Sequence, residues 1–287
     1  MDRSAAISRV LFHVLFLNLA VALAKIVLGL VSGAVSVLSD GLHSLTDGAS
    51  NVVALVGVKM ARQPPDADHP YGHRKFETMA SVAILLFLLL VLVQVLMAAV
   101  ERLPSPSAPA ITAASFAVMG ATFCVNLWVV WYERRKGRRL SSEVLLADSH
   151  HTRSDLFTSA TVIAALVGVK LGIPILDPAA AIIVAGFIGY ACWGIFTETT
   201  GILADEIVIA ADDIKAVVQG IPEVVGCHHI RSRGSADHVF VDLHIWMNPA
   251  MRLDEAHRLS HVVKDRIMAH FPQVKDAVIH IEPPPPA

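Results

Sequence analysis

The sequence is short of charge. Of its 287 residues only 17% are Asp, Glu, Lys or Arg, against about 25% in an ordinary soluble domain. Its net charge of −2 gives no basic excess of the kind that marks a nucleic-acid partner. Cysteine is scarce too. Cys124, Cys192 and Cys227 form no CxxC pair and no regular spacing, so they read as core thiols rather than a disulfide framework or a cysteine zinc site. HExxH, nucleophile-elbow and Walker sequences are missing. That removes the common hydrolase and nucleotide-driven classes, and the chain is read as something other than an enzyme.

Apolar sequence is abundant, at 54% of residues. Six long apolar stretches cover about 10–31, 34–58, 79–100, 111–131, 144–171 and 179–196, near the roughly 20 residues that cross a bilayer. The first leads directly into the second without a small-residue cleavage site, so it reads as a span and not as a removed leader. From residue 205 the composition becomes that of a soluble α/β domain. The organisation expected is therefore a membrane α-helical bundle of six transmembrane helices over 1–204 and a cytoplasmic domain over 205–287. In the second part the apolar periodicity gives an α-β-β-α-β order, a ferredoxin-like two-layer unit with an antiparallel or mixed sheet. Basic residues cluster at the N-terminus (Arg3, Arg9), after the second span (Arg62, Arg74, Lys75) and after the fourth (Arg134 to Arg139). The positive-inside rule then places both termini in the cytoplasm. Compact length and short loops fit a multi-pass protein of a bacterial inner membrane.

Two polar patterns interrupt the apolar spans. His43 is followed four residues later by Asp47, and His151 four residues later by Asp155. Positions i and i+4 share a helix face, and ionisable groups at membrane depth are costly unless compensated. Two imidazoles and two carboxylates suit a tetrahedral divalent ion and neutralise its charge. Counting 1.5 Å per residue from the expected ends of the spans, both pairs come out about 10 to 20 Å deep, near the middle of a core about 30 Å thick. A single such residue is often just a hydrogen-bonding group between helices; two matched pairs are harder to read that way. Asp40 and Asp148 stand three residues before each His. They are read either as partners orienting the imidazoles or as ligands on the way in, or else as groups facing water at a cavity rim. Lys25, in the first span, reads as the partner of a carboxylate rather than as a transport residue.

Two further clusters hold ligand-type residues. The connection between the second and third spans contains Asp66, His69 and His73. A loop stiffened by prolines can bring them round one ion, completed by water; the plainer alternative is a polar turn-rich loop. Of the chain's 14 histidines, eight lie after residue 207. His228, His244, His257, His280 and Glu282 are candidates for a site in the C-terminal domain, although surface histidines are often inert.

Taken together, HxxxD on the second and fifth spans, the stretch Asp66-Ala67-Asp68-His69-Pro70-Tyr71-Gly72-His73 and the histidine-bearing α/β tail resemble the cation diffusion facilitator family over essentially the whole chain. The resemblance implies a proton-coupled exporter of divalent metals that forms a homodimer in the lipid bilayer. It implies a transport site of His43, Asp47, His151 and Asp155, a loop site of Asp66, His69 and His73, and a cytoplasmic site drawing on His228, His244, His257, His280 and Glu282. In close bacterial relatives that last site is binuclear, lies near the dimer interface and has an aspartate where Glu282 stands. Relatives also pair a lysine at the start of the third helix with an aspartate after the sixth; Lys75 and Asp205 match those positions, as a link between domains or protomers. Zn2+ is the metal expected from two imidazoles and two carboxylates, as substrate and regulatory ligand, with Co2+ and Cd2+ able to follow and Fe2+ not excluded. Oxygen-rich sites would instead favour Mn2+. A reading from another class is a membrane-anchored metal sensor or scaffold, but such a protein needs no ligands at the bilayer centre.

Overall fold

Long apolar runs build the first half of the molecule. A computed structural model describes residues 3–61, 63–104, 109–140 and 143–285; within its helices the side chains of 3–8, 50, 51, 54, 55, 58, 140, 143–148, 150, 151 and 154 are not described. Six helices come first: α1 (Arg3–Ser32), α2 (Val35–Ala61), α3 (Lys75–Arg102), α4 (Ala113–Leu140), α5 (Glu143–Lys170) and α6 (Leu176–Leu203). Among the described residues α1, α3, α4 and α6 are long and apolar enough to cross a membrane. α2 and α5 are as long, but they carry the polar motif residues, which lowers their hydropathy. Those residues are turned inward: Ser36, Ser39, Asp40, His43, Ser44 and Thr46 on α2, and Thr158 and Ser159 on α5, are all buried. The lipid-facing surface is left to side chains such as Phe12, Leu30, Leu86 and Trp193, which are exposed. This is the distribution expected of a multi-pass membrane protein, with polar groups facing the bundle interior.

α2 packs against α1, α3 and α5, and α4 against α1 and α5. The turn from α1 to α2 passes through Gly33 at φ +71°, a left-handed conformation that favours glycine. Two contacts fix that turn from neighbouring helices. Asp177, at the start of α6, accepts the backbone N–H groups of Val35 at 2.8 Å and Ser36 at 3.0 Å, so a buried carboxylate from another helix caps α2. Arg102, ending α3, donates to the carbonyl of Gly33. α2 thus starts from a fixed point, eight residues before His43.

The chain divides into two compact units, 1–196 and 197–287. The second contains α7 (Ala211–Gln219), β1 (Gly226–Ser235), β2 (His238–Trp246), α8 (Leu253–His270) and β3 (Val274–Glu282), the α-β-β-α-β order expected. The sheet order is β1-β2-β3, antiparallel between β1 and β2 and parallel between β2 and β3. It is therefore mixed, and α8 is the crossover that a parallel pair requires. Alternation along β2 buries Val239, Val241, Leu243 and Ile245 against Ala256, Leu259, Val263 and Ile267 of α8. The other face of β2 carries His244.

Replacing Asp177 with Ala strands two buried amides of α2. The variant should lose about 2 kcal/mol or more of stability and melt lower than Asp177→Asn, which keeps one acceptor, as checked by thermal unfolding of the detergent-solubilised chain.

Candidate metal centre

In the helical unit, adjacency of α2 and α5 turns two sequence motifs into one cluster. One ligand atom each from His43, Asp47 and Asp155 lies within 4.8 Å of the others. The Nδ1 of His43 is 4.0 Å from Asp47 Oδ2, and its Nε2 is 3.9 Å from Asp155 Oδ1. These separations are too long for hydrogen bonds. Since one ring nitrogen serves one ion, only one of the two is an edge of a coordination tetrahedron, about 3.4 Å for ligands about 2.1 Å from the centre. One ring nitrogen can serve an ion and the other then needs a hydrogen-bond acceptor. The Nδ1 of His43 is buried with no hydrogen-bond partner among the described residues. Two carboxylates and an imidazole converging here fit a dication well. The side chains of His151 and Asp148 lie outside the described residues; their backbones belong to α5, with His151 one turn before Asp155.

Among the described contacts Asp40 meets no imidazole, and it is buried rather than at a water-filled rim. Its carboxylate is 2.9 Å from the Lys25 ammonium, both fully buried, and it accepts the Ser159 hydroxyl at 3.0 Å. The expectation for Lys25, a carboxylate partner, agrees with this contact. Ser159 was not picked out from the sequence. Its position four residues after Asp155, on the same helix face, was the available signal.

In the loop, Asp66, His69 and His73 meet. Asp66 Oδ1 is 3.1 Å from His69 Nδ1, and Oδ2 is 3.2 Å from His73 Nε2. The backbone N–H groups of Asp68 and His69 both donate to Asp66 Oδ1. The His69 amide foremost holds this carboxyl below its usual range. His73 Nδ1 lies 3.2 Å from the carbonyl of Pro64, which only a protonated Nδ1 can satisfy. In the neutral ring Nε2 is then an acceptor aimed at another acceptor, a contact that needs a proton or a metal ion between. The residues fit a small cation-binding loop.

In the second unit, register assembles the site. His228 lies opposite His244, and His244 opposite His280, so the three form one row across the sheet. Glu282, two residues on from His280, is on the same face. Its Oε1 accepts from His244 Nδ1 and lies 3.5 Å from His228 Nε2. His228, His244 and Glu282 hold ligand atoms within 4.8 Å, and the rings of His244 and His280 are 4.5 Å apart. His228 Nδ1 is buried without a hydrogen-bond partner among the described residues. His257 does not join. It is on α8, which covers the opposite face of the sheet, and its described ring contact is with His261. Among the described residues a single protomer thus brings together His228, His244 and Glu282, with the His280 ring beside His244 and the His229 ring 5.2 Å from it. Asp205 meets Arg233 at 3.4 Å within its own unit, so a pairing with Lys75 has to compete with that contact.

A model of the cation efflux transmembrane domain matches residues 11–204, and one of the cation efflux protein cytoplasmic domain matches 209–284. This chain belongs to the cation diffusion facilitator family. Similar proteins include the uncharacterized transporter MJ0449 of Methanocaldococcus jannaschii, 31% identical over 92% of this chain and 94% of that protein. The manganese efflux system protein MneS of Bacillus subtilis is 29% identical over 90% of this chain and 89% of its own length. The cation-efflux pump FieF of Shewanella oneidensis is 29% identical over 90% and 88%. The chain is accordingly a divalent metal cation exporter and not an enzyme.

Glu282 is held below its usual range chiefly by the hydrogen bond from His244. Because its folded value lies below the unfolded one, near 4.5, its contribution is present above that pH and is lost as pH falls through the lowered value. Acid titration of the full chain should therefore show the Glu282→Gln variant losing less stability than wild type below about pH 4.5. The same variant should bind metal at this site more weakly by more than the roughly tenfold cost of losing an outer-shell partner, as read by calorimetry.

Proposed function

We propose that this chain exports Zn2+ in exchange for protons by alternating access, with His43, Asp47, His151 and Asp155 as the transport ligands. The observation that carries the reading is the convergence of His43, Asp47 and Asp155 from two helices inside the bundle. Carboxylates and an imidazole collected in such surroundings suit a cation, and a metal sensor would have no use for them there. Metal and protons compete for the same ligand atoms, since imidazole and carboxylate must be deprotonated to coordinate. Metal taken from the cytoplasm thus leaves when protons from the other side occupy those atoms. The basic connections after α2 and α4 support a cytoplasmic location for the termini and the C-terminal unit.

An imidazole nitrogen among the ligands favours Zn2+ over Mn2+. Fe2+, Co2+ and Cd2+ are the alternatives that the same donors tolerate, and Mn2+ stays in view because MneS is named a manganese efflux protein. Asp66, His69 and His73 form a loop site beside the start of α3. His228, His244, His280 and Glu282 form a regulatory site in the C-terminal unit of a homodimer, and His257 can reach such a site only from the partner subunit.

In proteoliposomes holding the purified chain, a pH gradient should drive zinc flux. Asp47→Ala should cut that flux by at least about tenfold to a hundredfold and leave metal binding by the C-terminal unit intact. His43→Asp should raise iron and manganese flux relative to zinc, because it exchanges a nitrogen donor for an oxygen donor. Absence of gradient-driven flux for every one of these metals in the wild type would overturn the antiport reading.

A further inference from the structure

Among the described residues Lys25 is the largest fully buried side chain of the membrane unit. Its ammonium has three donors, and three acceptors meet them: Asp40 Oδ2 at 2.9 Å, Ser159 Oγ at 2.8 Å and Ser44 Oγ at 3.2 Å. Ser159 in turn donates to Asp40 Oδ2 at 3.0 Å. A single lysine of α1 thus ties α2, through Asp40 and Ser44, to α5, through Ser159. These are the two helices that carry the transport motifs.

The position of the tie along the helices gives it a direction. Asp40 precedes His43 by three residues on α2, toward the α1–α2 turn. Ser159 follows Asp155 by four on α5, toward the α5–α6 turn. Both displacements, about 5 to 6 Å, point to the same face of the bundle. On that side of the ligands, Ser36, Val37, Ser39 and Asp40 of α2 and Ser159, Val162 and Leu166 of α5 are at most 1% exposed. The ligand carboxylates themselves keep more exposure, 18% for Asp47 and 14% for Asp155. A metal ion at His43 is therefore closed off on the face with the α1–α2 turn.

We propose that Lys25, Asp40 and Ser159 form the seal of the transport site on the α1–α2 turn side, and that α5 must release Ser159 from the ion pair for metal to pass there. The proposal rests on the transport reading above. An ion pair suits a seal that has to open to water. Its mutual attraction and its desolvation cost nearly cancel, so the hydrated, separated groups are close in free energy to the closed pair. A purely apolar plug would instead lose burial when wetted. Paired with Asp40, the ammonium also presents little net positive charge to the approaching dication. Lys25 acts through the two helices and touches no ligand atom in the described contacts, which makes it a positioning residue.

The test is thiol labelling of the full chain in sealed vesicles, with Cys124, Cys192 and Cys227 replaced by alanine and Val162→Cys as reporter. A membrane-impermeant methanethiosulfonate is applied from the α1–α2 turn side, and zinc flux is measured on the same preparation. Ser159→Ala, which removes α5 from the tie and leaves the ion pair intact, should speed labelling about fivefold. Lys25→Met combined with Asp40→Leu, which replaces the ion pair by an apolar plug, should instead slow it below the wild-type rate, and the zinc KM should shift less than the labelling rate in either variant. Should that double variant fail to fold, Ser159→Ala decides the matter alone. Labelling unchanged by Ser159→Ala while zinc transport persists would overturn the seal and leave the transport reading standing. So would a KM that rises tenfold with labelling unchanged, since the serine would then hold the ligands and not the gate. A wild-type chain that moves no metal would overturn both.

Discussion

The electrostatics of Asp47 and Asp155 organise the membrane unit. Two carboxylates brought together in a helix bundle repel each other, so a cation or protons between them are favoured. His43 stands between them, within reach of both. On the proposed reading, metal and proton are alternatives for one position, and exchange transport would follow from that competition. The scaffold around it is built to hold α2 and α5 in place. Asp177 caps α2, Arg102 fixes the preceding turn, and Lys25 joins α2 to α5.

The C-terminal unit gathers its candidate ligands by different means. A helix presents ligands at i and i+4, whereas a sheet presents them across strands at one register level. His228, His244 and His280 occupy one such level, and Glu282 lies one step along on the same face. The alternation that buries Val241, Leu243 and Ile245 under α8 is what leaves His244 on the other face. Core packing and ligand placement are thus two consequences of the same period-two pattern.

Much of this was legible in the sequence because its signals are periodic or local. Four-residue spacing put His43 and Asp47 on one face, and a proline-bounded loop held Asp66 near His69 and His73. Apolar alternation placed β2. What escaped depended on which helices and faces meet. Asp40 has the spacing of a group supporting His43, yet a lysine fifteen residues earlier captures it, since neutralising a buried carboxylate outweighs orienting a ring. His257 looked equivalent to the other histidines, but α8 lies on the wrong side of the sheet. Asp177 gave no sign in sequence that its carboxylate caps a helix more than 140 residues away. The mixed sheet also awaited the structure, because alternation is the same whichever way a neighbouring strand runs.

X-ray absorption on the zinc-loaded full chain, with the other two clusters disabled by Asp66→Ala and His244→Ala, tests the central claim most directly. The account predicts one zinc per protomer in a four-coordinate nitrogen and oxygen shell at about 2.0 Å with imidazole scattering, lost on Asp155→Ala. A shell without imidazole, or zinc retained unchanged by the Asp155 variant, would contradict it.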